Sequence, residues 1–327
     1  MQYTKLGWSG TKVSSICLGT MSFGNAADWM VEKEEAFKVL QKAWDLGINF
    51  YDTANVYSRG RSEEIVGEFM KGRREDAVIA TKVFGRMGDL PNDAGLSRKQ
   101  VLKSLSDSLR RLGTDYVDLY QLHRWDRDSP IEETLSTLTD AVHQGKVRYI
   151  GASSMWAYQL ATAYYTAEMK GYERFVSMQD LYNLLYREEE REVIPFCKEH
   201  DIALIPWSPT AVGVLSGRYM RDGKLEIRPG DVSRLRPGGG DYRVYVEPPE
   251  NAEIVRRVIE TAKSKGVTPT QVALAWLLKK GVTAPIVATT KPEHVEEAVG
   301  ALDVKLTDDE VKYLEEPYRP KAIYGHS

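Results

Sequence analysis

Cysteine is scarce in this chain of 327 residues, which contains only Cys17 and Cys197. The two lie far apart and form no C-x-x-C pair, a pattern that argues against a disulfide framework, a zinc site or a redox pair. Long apolar runs are also missing: no stretch approaches the roughly 20 apolar residues that span a bilayer, and the N-terminal segment MQYTKLGWSG lacks an apolar core of signal-peptide length. We therefore expect a soluble, cytoplasmic protein that holds no metal.

An excess of charge of one sign is likewise absent. The 44 basic residues nearly cancel the 47 acidic residues, which gives a formal net charge of -3. No basic block or arginine-rich arm occurs, so we expect neither nucleic acid nor a membrane as partner. A small molecule is the expected partner, and the oligomeric state stays open.

Short apolar runs rich in β-branched residues alternate with longer stretches of helical period, which indicates repeated βα units. After a predicted hairpin around YTKLGWSGTKVS, the strand candidates are SSICLGT, NFYDTA, AVIATKV, VDLYQLH, RYIGASS, FVSMQ, ALIPWSP and APIVATT. Amphipathic segments such as EEAFKVLQKAWDLG and RKQVLKSLSDSLRRLG lie between them, and each ends in glycine, the residue typical of a helix C-terminus. About eight strands are the number that a closed (β/α)₈ barrel needs.

A doubly wound open sheet also alternates strands and helices, so it is the rival fold. Two features favour the barrel: no G-x-G-x-x-G follows the first strand, and polar residues cluster at the carboxyl ends of the strands. We therefore predict an α/β fold, a single (β/α)₈ TIM-barrel domain over residues 1–327. The Gly- and Pro-rich stretch 213–251 predicts a long functional loop after strand 7, with a covering lid as its expected role.

Four reactive side chains are expected at the carboxyl ends of successive strands. Asp52 follows Phe50 at the end of a buried strand, where an unpaired carboxylate is costly. Lys82 ends the next strand and is its natural partner, because neighbouring strands lie about 5 Å apart. His123 follows the third strand, and Tyr57 lies in the loop just beyond Asp52.

This set suits a reaction in which an oxygen gains or loses a proton. A phenol is ordinarily a poor proton donor near neutral pH, whereas a nearby ammonium group favours its ionised form. In that arrangement Lys82 tunes Tyr57, Asp52 holds Lys82 charged, and neutral His123 donates a hydrogen bond to substrate. Taken singly, each residue also has a structural reading: an ion pair, a packed tyrosine or a buried histidine.

Long blocks of the sequence resemble the aldo-keto reductases. The matching pieces include KLGWSGTKVSSICLGTMSFG, GINFYDTANVY, LGTDYVDLYQLHRWD, GKVRYIGASS and MQDLYNLLYREEEREVIPFCKEHDIALIPWSP, and they cover nearly the whole chain. The resemblance is closest to a prokaryotic branch that is similar to the potassium-channel beta subunits. It implies that Asp52, Tyr57, Lys82 and His123 form the catalytic tetrad of an oxidoreductase. In that family, a nicotinamide cofactor supplies hydride for carbonyl reduction and Tyr57 would be the general acid.

The resemblance also implies a set of cofactor-binding positions. Gly19, Thr20, Met21 and Asp52 would line the nicotinamide, Ser153 and Gln179 would bind its carboxamide, and Trp207 would stack on its ring. The remaining positions, which would hold the pyrophosphate and adenosine ends, are Ser208, Pro209, Arg218, Arg234, Thr289, Thr290, Lys291 and Glu297. Trp207 could instead be a core residue, and the two arginines could be solvated surface charges.

The last cofactor segment, VATTKPEHVEEAVGAL, departs from the pattern of the relatives. Ala288 replaces a glycine, Thr290 an arginine or serine, His294 a glutamine and Ala298 an asparagine, which leaves Glu297 as the retained adenine contact. Lys291, at the start of the following helix, can still meet a 2′-phosphate together with Arg234, so NADPH is the expected cofactor and NADH the alternative.

Three other functions remain open at this stage, and one of them is a non-redox barrel enzyme with a phosphate-binding loop, which would leave Trp207 and Gln179 without a role. The same tetrad runs in either direction, so an NAD-linked alcohol or sugar dehydrogenase is one alternative, and a cofactor-binding regulatory subunit with little turnover is another. The physiological substrate is not encoded in any motif. The loop aromatics Phe23, Trp29, Phe84 and Trp125 either line a substrate pocket or pack within their loops.

Overall fold

Short strands alternate with amphipathic helices along the whole chain. The computed structural model describes residues 1–228, 231 and 235–326. Across these residues the strands, in chain order, are β1 (Tyr3–Lys5), β2 (Lys12–Ser14), β3 (Cys17–Gly19), β4 (Phe50–Asp52), β5 (Val78–Val83), β6 (Val117–Leu122), β7 (Val147–Ser153), β8 (Phe175–Gln179), β9 (Ala203–Leu204), β10 (Met220–Arg221), β11 (Lys224–Leu225) and β12 (Ile286–Ala288). The helices are α1 (Lys33–Asp45), α2 (Arg61–Phe69), α3 (Arg98–Leu112), α4 (Ile131–His143), α5 (Ala157–Lys170), α6 (Val193–Glu199), α7 (Gly240–Tyr245), α8 (Pro249–Lys265), α9 (Pro269–Lys279), α10 (Pro292–Gly300) and α11 (Asp308–Glu315).

Helix ends follow local chemistry. The side chain of Ser97 accepts a hydrogen bond from the Gln100 amide at the start of α3, and Gly113 ends that helix with a φ of 63°. Only glycine adopts such a left-handed angle without a steric cost from Cβ. The helix predicted from RKQVLKSLSDSLRRLG is thereby confirmed.

The described part of the chain contains one eight-stranded parallel sheet, with the strand order β12-β3-β4-β5-β6-β7-β8-β9. Its two outer strands approach each other, because the Ile286 amide donates to the Pro206 carbonyl at 2.9 Å and the Thr283 amide donates to the Leu204 carbonyl at 2.9 Å. This curled sheet is consistent with the predicted (β/α)₈ barrel.

Two apolar clusters form the core. The larger one lies between the sheet and the helices, and the smaller one contains the residues that face the inside of the sheet, such as Phe50, Val78 and Leu119. Strands β1 and β2 pair antiparallel, and Leu6, just after β1, and Val13 of β2 belong to the inner cluster. The N-terminal hairpin therefore packs against the inner face of the sheet.

The segment 213–251 is not one continuous loop. Strands β10 and β11 pair antiparallel within it, α7 follows, and α8 begins at Pro249. Its role as a lid stays a prediction, and Arg234 lies outside the described residues. Among the residues that are described, no helix is both long and apolar enough to cross a membrane.

Candidate active site

The alternation of side chains along the strands brings polar groups to one end of the sheet. Successive residues of a strand point to opposite faces, so residues two apart share a face. On β4, Phe50 lies in the inner cluster and Asp52 follows two residues later. On β5, Val78 and Ala80 lie in the same cluster and Lys82 follows. On the inner face of the sheet, these two strands therefore carry apolar residues first and a charged residue at their carboxyl ends.

Asp52 and Lys82 form a buried ion pair. The Lys82 Nζ lies 2.5 Å from Asp52 Oδ1, and the two side chains are 0% and 2% exposed. Lys82 Nζ also donates to the Thr53 carbonyl at 2.8 Å and to the Tyr57 hydroxyl at 3.1 Å. All three ammonium protons thus have an acceptor, which buried charges require.

The ion pair keeps Lys82 charged. Burial alone lowers the pKa of Lys82, but the nearby Asp52 and Tyr57 side chains outweigh burial, so the net pKa of Lys82 is raised above its ordinary value. An ammonium group next to a phenol oxygen stabilises negative charge on that oxygen. Lys82 is therefore a fixed positive charge beside Tyr57.

Two buried amides hold the other oxygen of Asp52, and sequence reasoning missed this role. Gln121 Nε2 and Gln179 Nε2 each donate to Asp52 Oδ2 at 2.9 Å, and Gln179 Nε2 also lies 3.1 Å from Gln121 Oε1. Gln121 lies two residues before His123, and that spacing was the signal that it shares the inner face. The amides orient Asp52 toward Lys82.

A tight turn carries Tyr57 back over this end of the sheet. The Tyr57 amide donates to the Ala54 carbonyl at 3.1 Å, and Ser58 and Arg59 then adopt left-handed φ angles of 46° and 53°. Non-glycine residues rarely adopt such angles, and they occur most often at functional sites. The turn leaves Tyr57 partly exposed while its hydroxyl reaches Lys82.

His123 completes the group. Its ring centroid lies 5.9 Å from that of Tyr57, in an edge-to-face arrangement, and its amide donates to the Val83 carbonyl at 3.0 Å. Burial, together with the positive charges of Lys82 and Arg124, holds the pKa of His123 well below its usual range. A neutral imidazole at neutral pH can donate one hydrogen bond to a ligand oxygen.

The predicted nicotinamide residues surround this group. A Cβ on Gly19 would lie 2.6 Å from Ile286 Cγ2, so β3 passes close to β12 there. The Thr20 hydroxyl is buried and donates to the Asp52 carbonyl at 3.0 Å, and Met21 follows, partly exposed. The turn after β3 thus adjoins the end of β4.

Ser153, Gln179 and Trp207 lie on neighbouring strand ends. The Ser153 hydroxyl donates to the Gln179 carbonyl at 2.8 Å. The Trp207 indole donates to the Ser154 hydroxyl at 3.2 Å, and its backbone amide donates to the Asp180 carbonyl at 2.9 Å. Trp207 is partly exposed, which excludes the reading of it as a fully buried core tryptophan.

The remaining predicted cofactor residues fall on two loops. Ser208 has a left-handed φ of 52° and Pro209 is buried, while the exposed Arg218 hydrogen-bonds to the Tyr219 hydroxyl. On the second loop, the Thr289 hydroxyl accepts a hydrogen bond from the Lys291 amide at 3.0 Å.

Residues of the second loop lead into α10. Thr290 is partly exposed, Lys291 is the residue before α10, and Glu297 lies on the helix with its backbone carbonyl bonded to Gln271 Nε2 at 3.2 Å. The Ser22 hydroxyl donates to the Thr289 carbonyl at 3.0 Å, which joins this loop to the turn after β3.

One of the four loop aromatics is a core residue. Phe23 is 0% exposed and packs in the larger apolar cluster, so it does not line an open pocket. Trp29, Phe84 and Trp125 are partly exposed. The pocket reading therefore survives for these three residues only, and it stays a prediction.

Comparison with known proteins gives the family. A sequence model described as the aldo/keto reductase family matches residues 15–319. The chain belongs to the aldo/keto reductase family. The ordered blocks that resembled this family in the sequence thus led to the correct assignment.

Fungal aldo/keto reductases are similar to this chain over nearly its full length. Versiconal hemiacetal acetate reductase of Aspergillus parasiticus is 41% identical over 347 residues, which is 99% of each chain. Aldo-keto reductase AFTS1 of Alternaria alternata is 39% identical over 355 residues, 99% of this chain and 94% of its own. A Saccharomyces cerevisiae protein with the provisional name aryl-alcohol dehydrogenase AAD16 is 40% identical over 346 residues, 98% of each chain.

The expected branch of the family is not supported. The sequence pointed to a prokaryotic branch similar to the potassium-channel beta subunits, whereas these relatives of the aldo/keto reductase are fungal. The blocks on which that expectation rested include the strand ends around Asp52 and Lys82. Such blocks contain the residues expected at the site, so they identify the family but do not distinguish its branches.

Proposed function

We propose that this aldo/keto reductase uses NADPH to reduce aldehydes or ketones to alcohols, with Tyr57 as general acid. The observation that carries the proposal is the 3.1 Å hydrogen bond from Lys82 Nζ to the Tyr57 hydroxyl, beside a neutral His123. A fixed cation next to the phenol stabilises the phenolate that remains after proton transfer.

The residues present fit a nicotinamide cofactor. Gln179 uses its amide nitrogen on Asp52 and Gln121, which leaves its carbonyl oxygen to accept from a carboxamide NH₂. Ser153 and the partly exposed Trp207 ring lie beside it and would hold the same ring system. When bound, NADPH supplies the hydride that reaches the carbonyl carbon.

The chain's own residues handle the oxygen and the proton. The substrate oxygen lies between the Tyr57 hydroxyl and a His123 N–H, which both donate hydrogen bonds to it and stabilise the negative charge that develops. Tyr57 then gives its proton to that oxygen, so one hydride and one proton together make the alcohol. Lys82 holds the phenolate until solvent returns the proton.

Aromatic aldehydes are the first substrates to test, because three similar proteins have the provisional name aryl-alcohol dehydrogenase and others are named as reductases. The experiment follows loss of reduced-nicotinamide absorbance with a panel of aromatic aldehydes, aliphatic aldehydes, ketones and sugars. We expect turnover with aldehydes and NADPH. Tight cofactor binding without turnover on any carbonyl or alcohol would instead favour a regulatory subunit.

An NAD-linked dehydrogenase is the second candidate, because the names of the same three relatives point to alcohol oxidation. Running the panel in both directions with both cofactors separates the two. A higher kcat/KM for alcohol and NAD⁺ than for aldehyde and NADPH would overturn the proposed direction and cofactor.

Lys291 offers a direct test of the cofactor. It is exposed and immediately precedes α10, whose N-terminus favours anions. We expect Lys291→Ala to raise the KM for NADPH about tenfold, in line with loss of one charge-assisted contact of roughly 1.5 kcal/mol, and to leave the KM for NADH unchanged. Equal changes for both cofactors would contradict a 2′-phosphate contact.

A further inference from the structure

Three chemically reactive side chains meet in a buried cluster that the proposed reaction does not use. Asp180 directly follows β8, Glu189 lies in the short turn 188–190, and His326 is near the end of the chain. We call these three residues the tail cluster. Their side chains are nearly inaccessible: Asp180 is 5% exposed, Glu189 is 2% exposed, and the His326 side chain is 4% exposed.

The polar atoms of the tail cluster lie close together but form no hydrogen bonds with one another. One possible ligand atom from each residue can be chosen so that all lie within 4.8 Å of one another. The Ser154 backbone N–H faces the Asp180 carboxylate, but within the described residues neither oxygen of Asp180 and neither ring nitrogen of His326 has a partner in full hydrogen-bond geometry. His326 Nε2 and Glu189 Oε1 approach to 3.0 Å, yet they do not adopt hydrogen-bond geometry.

Such an arrangement is costly for the protein alone. A buried polar atom without a partner costs about 1–3 kcal/mol, and a buried charge costs more. The protein by itself therefore leaves these carboxylate oxygens and ring nitrogens without a hydrogen-bond partner.

A small void adjoins the cluster. A cavity of about 10 Å³ is lined by Asp180 and Glu189 together with residues such as Tyr182 and Ile205. That volume is about what a single water-sized sphere needs. Asp180 and Glu189 thus combine unpartnered oxygens with room beside them for one small species.

We propose that Asp180, Glu189 and His326 bind one divalent transition-metal ion of the Zn²⁺ or Mn²⁺ class. Two carboxylates and one imidazole form a mixed oxygen and nitrogen donor set, which suits these ions better than Mg²⁺ or Ca²⁺. The cation neutralises both acids and supplies the partner that Asp180 lacks.

The spacing is compatible with coordination. With metal–ligand bonds of about 2.0–2.2 Å, ligand atoms lie roughly 3.4 Å apart around a tetrahedral Zn²⁺ ion, and around an octahedral Mn²⁺ ion they lie roughly 3 Å apart when adjacent and roughly 4.2 Å apart when opposite. The 3.0 Å approach of His326 to Glu189 matches a neighbouring pair. The upper limit of 4.8 Å lies above both of these larger distances, so binding draws the two most distant atoms together by up to roughly 0.6 Å for Mn²⁺ and up to roughly 1.4 Å for Zn²⁺.

The ion would attach the end of the chain beside the proposed cofactor site. Gly325, which precedes His326, lies so close to the Trp207 ring that a Cβ there would be 3.1 Å from Trp207 Cζ2. The Tyr324 amide donates to the Tyr186 hydroxyl at 2.8 Å. A metal bound by His326 therefore fixes the tail against Trp207, and it does so whether or not the redox proposal is correct.

The sequence-based prediction that the protein holds no metal rested on cysteine spacing alone and did not consider these carboxylate and histidine residues. Asp180 and Glu189 lie nine positions apart, whereas His326 lies far from both in the sequence. Only the fold brings them together. No short motif of the kind that reveals zinc sites exists here.

The test measures metal binding directly on the full chain without a C-terminal tag. The protein is stripped with a chelator, dialysed separately against Zn²⁺, Mn²⁺ and Mg²⁺, and analysed for metal content and thermal midpoint. We expect one equivalent of Zn²⁺ or Mn²⁺ with a raised midpoint, and no retention of Mg²⁺. Binding should weaken by at least the roughly 10–100-fold that loss of an outer-shell partner costs when His326→Ala or Glu189→Gln is introduced.

His143→Ala is the matched control, because His143 is an exposed histidine on α4. It should bind the ion as the unchanged chain does, and circular dichroism shows that each variant is folded. The proposal is overturned if the unchanged chain retains no Zn²⁺ or Mn²⁺, or if His326→Ala and Glu189→Gln retain as much as His143→Ala. The first outcome would mean that water or a proton fills the site, the second that the ion binds elsewhere.

Discussion

Lys82 and Asp52 are stable inside the fold because nearly every polar atom of the pair is used. Lys82 Nζ has three acceptors, and Asp52 accepts from Lys82 and from the amides of Gln121 and Gln179. A buried ion pair gains little over an apolar pair of the same shape, but removal of one partner leaves an uncompensated charge. The pair therefore matters for stability as well as for chemistry.

Replacing Lys82 with methionine tests how much the buried ion pair with Asp52 contributes to stability. Met fills a similar volume but leaves Asp52 charged and unpaired, so we expect Lys82→Met to lower the free energy of unfolding by about 3–5 kcal/mol. Urea unfolding gives the value, and adding Asp52→Asn to the same chain should recover part of the loss.

The control for this change is Lys38→Met. Lys38 pairs with Glu35 at 2.6 Å on the surface, where the side chains are 61% and 55% exposed. Surface pairs contribute about 0–1 kcal/mol. If Lys82→Met cost no more than Lys38→Met, the account of a tightly held buried pair would be wrong.

At this scale the charged residues were predictable and their amide partners were not. A carboxylate or ammonium after an apolar strand demands a partner, so Asp52 predicts Lys82. Gln121 and Gln179 carry no charge, so their burial does not require an oppositely charged partner that a sequence pattern could reveal. Gln121 was not predicted at all. The hydrogen bonds to Asp52 depend on the side-chain directions that the barrel interior imposes.

Helix α2 connects the turn at residues 57–60 to the rest of the structure. It begins directly after the turn that carries Tyr57, and its Ser62 hydroxyl donates to the Thr20 carbonyl at 2.8 Å. Glu63 on the same helix binds Arg111 of α3 at 2.6 Å. The position of α2 against α3 thus sets the position of the turn.

Gly67 permits that packing and gives a sharp prediction. A Cβ at Gly67 would lie 2.4 Å from the Leu112 carbonyl oxygen, a backbone atom that cannot move aside alone. Although alanine is intrinsically favoured over glycine in a helix by about 1 kcal/mol, we expect Gly67→Ala to lower the unfolding free energy by about 1–3 kcal/mol. Urea unfolding measures the difference.

Gly10→Ala serves as the comparison, since nothing lies within 4 Å of a Cβ at that position. It should change the unfolding free energy by less than about 0.5 kcal/mol. A Gly67→Ala protein as stable as Gly10→Ala would show that α2 and α3 are not in the close contact described.

Elements with strong local signals were predicted well, and the rest were not. The glycine after Leu112 ends α3 as the sequence indicated, because a left-handed residue stops a helix wherever it occurs. The short strands β10 and β11 and helix α7 lie within a Gly- and Pro-rich stretch whose composition reads as loop. Such short elements depend on tertiary contacts rather than on periodicity.

On the scale of the whole molecule, the sheet joins residues from opposite ends of the chain. Strand β12 pairs with β3, and His326 lies beside residues that follow β8. The number of strand candidates predicted the sheet, whereas the path of the tail could not be read from any pattern. The single domain over residues 1–327 and the cytoplasmic location stay predictions.

The neutral side chain of His123 predicts acid sensitivity of the fold. Burial, with Lys82 and Arg124, holds the pKa of His123 well below its usual range, whereas in the unfolded chain it binds a proton near pH 6.5. The unfolded state then binds more protons, so stability present above about pH 6.5 is lost as the pH falls, by up to about 1.4 kcal/mol per pH unit. We expect His123→Gln to lose this part of the pH dependence.

Urea unfolding between about pH 7.5 and about pH 5 checks the slope. Other titrating groups are common to both proteins, so the difference in slope isolates His123. The exposed His143→Ala serves as control and should keep the slope of the unchanged chain. Equal slopes for His123→Gln and the unchanged chain would mean that His123 becomes protonated in the native state.

The most direct test of the central claim is single-turnover reduction of an aromatic aldehyde by Tyr57→Phe with NADPH bound. The phenyl ring keeps the packing against His123 but removes the hydroxyl that Lys82 contacts. We predict that cofactor binding, measured by fluorescence, stays within about twofold, while the rate of reduction falls by at least the roughly 10²–10⁴-fold that general acid catalysis contributes. A Tyr57→Phe rate near that of the unchanged chain would contradict the assignment of Tyr57 as proton donor.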